Sequence, residues 1–68
     1  MKKVIATENA PKAVGPYSQA IEVNGTLYIS GQIPVNPADG QVQTEITVAA
    51  HQSLKNIGAI LAEAGMTY

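Results

Sequence analysis

Two short segments hold most of the residues able to do chemistry. One is Gly15-Pro16-Tyr17-Ser18-Gln19-Ala20 and the other is Tyr28-Ile29-Ser30-Gly31-Gln32-Ile33-Pro34. A phenol, serine hydroxyls and carboxamides make a set of neutral donors and acceptors that reads as half of a polar site. A nucleophilic serine needs a base beside it, and neither histidine nor lysine lies near Ser30 in the sequence. Plainer roles compete: a tyrosine at a strand start often packs, and a serine at a strand end often bonds locally. His51, the sole histidine, falls off the apolar stripe of a predicted helix and reads as a solvated surface residue. The five acids, Glu8, Glu22, Asp39, Glu45 and Glu63, form no pair placed for acid–base work. No cluster offers the converging ligands of a metal site, and the glycines lack a phosphate-cradling pattern.

The elements that must position these residues can be read from the turns and periods. Asn24-Gly25 is the strongest short-range hairpin signal. With these two as the turn, Val23 pairs with Thr26, Ile21 with Tyr28, Gln19 with Ser30 and Tyr17 with Gln32. Those eight side chains share one face of a ribbon spanning residues 17–23 and 26–32, with Tyr17 and Ser30 diagonally adjacent at its open end. Lys3 to Thr7 is a β-branched run and reads as an edge strand. Residues 8–16 are irregular, and residues 34–40 form a turn-rich loop closed by Asp39-Gly40.

From Thr44 to Ala64 the period changes to that of a helix. Ile46, Ala50, Leu54, Ile57, Leu61 and Ala64 recur every three or four residues as one apolar stripe. Thr44 is the expected N-cap, Glu45 suits the first turn, and Gly65 is the expected stop. Gly58 predicts close packing against the sheet, because glycine inside a helix costs about 1 kcal/mol relative to alanine. The fold class is therefore α+β: a β-hairpin plus an N-terminal strand packed on one long helix. Ala20, Leu27 and Ile29 suit the helix-facing side of the hairpin. Ile21, Val23 and Tyr28 make the other side apolar too, which calls for a second cover and points to self-association.

The chain has 68 residues, room for one small domain, residues 1–68. A domain this short buries only about 60% of its unfolded surface and stands at the margin of stability. It has no cysteine, hence no disulfide or thiolate zinc site to compensate. Net charge is −1, with four lysines and no arginine, so the basic footprint of a nucleic-acid binder is absent. The apolar run after Lys2-Lys3 stops at three residues, too short for a secretory signal, and no stretch approaches a membrane span. The expectation is a cytoplasmic protein with no membrane and no nucleic-acid partner. An open βββα unit is an unusual place to stop, so an incomplete domain is also expected.

The GPYSQA and YISGQIP segments, at this spacing, resemble the reactive imine/enamine deaminases (the RidA/YjgF/YER057c/UK114 family). The resemblance runs through essentially the whole chain but covers only the N-terminal half of family members. It implies the N-terminal half of a chorismate-mutase-like fold, a homotrimer with sites between subunits, and no metal or organic cofactor. It implies that Tyr17, Ser30, Gly31, Gln32 and Ile33 border a small imino acid. The family's arginine, which grips the substrate carboxylate, and its glutamate, which places a water, correspond to positions beyond Tyr68. The implied activity is hydrolysis of 2-iminobutanoate and 2-iminopropanoate, products of pyridoxal-phosphate-dependent dehydratases, to 2-keto acids and ammonia. A non-catalytic binding or oligomerisation module is the alternative, and an RNA-directed activity fits the composition least.

Overall fold

In a computed structural model that describes residues 2–68, three antiparallel strands carry one helix. The order along the chain is β1 (Lys2–Ile5), β2 (Ala20–Val23), β3 (Thr26–Ile29) and α1 (Ile46–Glu63), and the sheet order is β1-β2-β3. Asn24 (φ 50°) and Gly25 (φ 82°) form the turn, the left-handed pair that lets a two-residue loop follow the strand twist. The resulting register is the one the turn dictates: Val23 faces Thr26, Ile21 faces Tyr28 and Ala20 faces Ile29.

The ribbon is shorter than expected. Its ladder ends where the Ser30 N–H donates to the Gln19 carbonyl at 3.0 Å, and Tyr17 does not pair with Gln32. The Tyr17 N–H turns back to the Gly15 carbonyl at 2.9 Å instead, because the chain bends at Gly15 (φ 109°). Gln19, expected on the face shared with Tyr17 and Ser30, has its side chain buried. The turn-rich loop expected over residues 34–40 is drawn together by a β-bridge between Val35 and Val42, just beyond it.

The core is small: Ile5, Ala10, Ala20 and Ile60, with Leu27, Ile29, Ala59 and Ala64 packed around it. Ala20, Leu27 and Ile29 thus face the helix as expected. The helix is rotated from the expected setting. Its fully buried residues are Asn56 and Ile60, whereas Ile46 is 82% and Leu54 55% exposed. Apolar residues occur all round α1, and the hydrogen bonds of Asn56 described below select the face that turns inward. Gly58 therefore packs under the Tyr68 ring, whose carbons would lie 3.0 and 3.1 Å from an added Cβ, and not against the sheet.

The helix ends are local chemistry. Glu45, not Thr44, is the N-cap, its carboxylate accepting from the Thr47 and Val48 N–H groups at 3.2 and 3.0 Å. These backbone bonds hold its pKa below the ordinary carboxylate value. At the other end Gly65 (φ 75°) closes a Schellman motif, with Gly65 N–H to Ala62 O and Met66 N–H to Leu61 O.

Candidate active site

Beyond the end of the ribbon, the bend at Gly15-Pro16 and the strand exit at Gly31 leave a cleft of about 360 Å³ between two loop segments. Tyr17, Gly31, Gln32 and Ile33, four of the five residues expected at the site, line it. Tyr17 and Ile33 are exposed, and an added Cβ on Gly31 would meet nothing within 4 Å. The Gln32 amide donates to the Ser30 carbonyl at 3.1 Å, leaving its oxygen available. Among the described residues, Lys12 is the only charged one in the lining. The cleft thus carries one positive charge and offers a phenol and carboxamides, an arrangement suited to a small anion with polar substituents.

Ser30 is not part of that lining. Its Oγ–H is shared between the Ser18 and Gln19 carbonyls at 3.0 and 2.9 Å. With its proton committed to the base of the ribbon, this hydroxyl can still accept a hydrogen bond, but it has no base to activate it. His51 is exposed on α1 and does not line the cleft. Among the described residues, no three acids or histidines are grouped to hold a metal ion.

Sequence reasoning missed two buried carboxamides. Gln19 Nε2 donates to the carbonyls of Thr7, Ala10 and Pro11 at 3.0, 3.4 and 2.8 Å, while its Oε1 accepts from Thr7 N–H at 2.7 Å. One side chain thus binds the 7–11 segment, whose Pro11 lines the cleft. Asn56, 1% exposed, donates through Nδ2 to the Ile33 and Val35 carbonyls at 3.1 and 3.0 Å. Nothing in the spacing marks Asn56; only its place opposite backbone carbonyls does. In Gln19 the signal was present, since a polar residue beside Ala20 at a buried strand end must find partners.

The sequence profile of the family described as Endoribonuclease L-PSP matches residues 7–68. The chain belongs to this family. A 2-iminobutanoate/2-iminopropanoate deaminase of Escherichia coli is 50% identical over 66 residues, which are 97% of this chain and 52% of that protein. A Rid-family protein of Yersinia pestis superposes with a TM-score of 0.95 at 56% identity, covering 98% of this chain and 54% of that one. E. coli TdcF, solved with bound serine, superposes with a TM-score of 0.92 at 40% identity, covering 96% and 51%. The chain spans about half the length of the Endoribonuclease L-PSP relatives it matches. The expected α+β architecture is therefore one found in structures of this family.

Proposed function

We propose that the protein acts as an imine/enamine deaminase on small 2-imino acids such as 2-iminobutanoate and 2-iminopropanoate. The observation that carries this reading is the Tyr17 cleft, where Tyr17, Gly31, Gln32 and Ile33 meet beside the lone cation Lys12. A 2-imino acid presents a carboxylate, a polar C=N group and a short apolar side chain, and each has a counterpart there. In the reaction, water adds to the imine carbon and the nitrogen gains a proton. Loss of ammonia from the resulting carbinolamine then gives the 2-keto acid. The residues of this chain that line the cleft bind and orient, and Ser30, outside that lining, ties the base of the ribbon through its bonds to the Ser18 and Gln19 carbonyls.

The chain contains no arginine, the residue best shaped to grip a carboxylate with two parallel bonds. That group, and the residue that places the water, would come from sequence outside these 68 residues. Homotrimeric assembly with sites between subunits and a cytoplasmic location belong to the same proposal. The exposed outer sheet face, with Val4 and Tyr28, supports assembly.

The test generates 2-aminoacrylate and 2-iminobutanoate in situ from serine and threonine with a dehydratase and follows keto-acid release. The full-length protein should exceed the spontaneous rate, and the 68-residue chain alone should add little. A full-length rate equal to buffer would exclude the deaminase reading. Mixed oligomers with a homologue, formed without activity, would favour the alternative of a non-catalytic assembly module. The family description names an endoribonuclease, and the net charge of −1 with no arginine in these 68 residues favours the small imino acid over a phosphate backbone as the ligand.

A further inference from the structure

The Asn56 amide both donates and accepts, and only one orientation of it suits its surroundings. Carbonyl oxygens can only accept, so the Nδ2 side must face Ile33 and Val35, and Oδ1 must face Gln52. Gln52 Nε2 donates to that Oδ1 at 2.8 Å, which fixes the orientation. Ile33 and Val35 both line the Tyr17 cleft, and Asn56 does not. Between them, the Val35 N–H closes onto the Ile33 carbonyl at 2.8 Å. This tight bend carries Ile33 outward, and its carbonyls turn inward to the helix. The segment has few other ties: Asn36 N–H reaches the Gln41 carbonyl and Gln43 N–H the Pro34 carbonyl.

We propose that Asn56 is a positioning residue for the Tyr17 cleft: from a buried place on α1 it fixes the Ile33–Val35 bend, and thereby the wall that meets the ligand. The inference rests on the deaminase reading for the identity of that ligand, but not for the placement of the wall. Gln19 plays the matching part for the Pro11 segment. A helix thus sets the shape of a cleft it does not line.

The test uses Asn56→Asp in the full-length protein, read by backbone hydrogen exchange at Val35 and Asn36 relative to Ile21 and Tyr28. A carboxylate would set its lone pairs against two carbonyl oxygens, whereas a protonated carboxyl donates to one of them. Burial beside carbonyls raises the pKa of such an acid, so the native arrangement is favoured at low pH and lost as pH rises. Exchange at Val35 and Asn36 should exceed wild type about tenfold near pH 8 and approach it near pH 5. The KM for 2-iminobutanoate should rise severalfold over the same range while kcat holds. Gln52→Met, which keeps the Asn56 donors, should loosen the same two amides by a smaller and pH-independent factor. Equal acceleration across hairpin and helix would overturn the proposal, as would an unchanged KM despite faster exchange. If the wild-type protein hydrolyses no imine, the deaminase reading fails and the exchange data alone decide the placement.

Discussion

At the scale of single residues, the most consequential groups are neutral amides. Gln19 satisfies three carbonyls and one N–H of a segment that has no regular structure. Replacing it with methionine keeps the volume and strands those groups, at about 1–3 kcal/mol for a buried group left unsatisfied. Gln19→Met should therefore lower the urea midpoint with little change in slope, and a midpoint equal to wild type would show the segment held by packing alone. Glu45 acts at the surface. Its pKa lies below the ordinary carboxylate value because it accepts the Val48 and Thr47 N–H groups. A depressed pKa means stabilisation that is complete above the unfolded-state value and is lost as pH falls through the folded one. Helicity followed by circular dichroism should thus decline on acidification below about pH 4.5, and Glu45→Gln should remove that component of the decline. The types of these residues were visible from the start, but their partners were not. A carboxamide's role depends on which backbone groups fold lies opposite it, and spacing holds no record of that.

At the scale of elements, local rules succeeded wherever the structure is determined locally. Asn24-Gly25 fixed the register of the whole hairpin, and the Gly65 stop appeared as expected. Gly25 has open space around it but φ of 82°, so Gly25→Val should cost about 1–2 kcal/mol through backbone strain alone. A melting temperature unchanged in that variant would mean that the turn relaxes to another type. Rules failed where tertiary contacts decide. The helix stripe through Ile46 and Leu54 had the right period but the wrong azimuth, since Asn56 breaks the apolar face that actually turns inward. The arms of the ribbon were overextended because alternation continues past Gln19, whereas the Gly15 bend does not let the ladder follow.

At the scale of the molecule, the fold is thinly covered. Its accessible surface is 4794 Å², against about 4,100 Å² for a folded monomer of this mass. The radius of gyration, 11.9 Å, exceeds the roughly 11 Å of a compact chain of this length. Large apolar side chains are among the exposed ones, with Tyr28 65% exposed on the outer sheet face and Ile46 and Leu54 open on the helix. Assembly over the sheet predicts that Tyr28→Glu lowers the sedimentation coefficient to that of a single chain. A coefficient identical to wild type would place the contact elsewhere. The two-faced apolar character of the hairpin was readable from alternation alone, but what covers it was not, because burial between chains leaves the same pattern as burial within one.

The sheet order β1-β2-β3 leaves two outer strands of different character. β1 opens with Lys2 and Lys3, whereas β3 is Thr26-Leu27-Tyr28-Ile29, β-branched or bulky throughout and without charge. Lysines on a rim discourage an incoming strand, and an uncharged rim of this composition welcomes one. The sheet is therefore a ribbon with a sealed side and a receptive side. Any further strand, whether from the same polypeptide or a foreign one, should add beside β3. During synthesis this gives the protein a direction of growth, and it makes the Thr26–Ile29 rim the place where mispairing would begin.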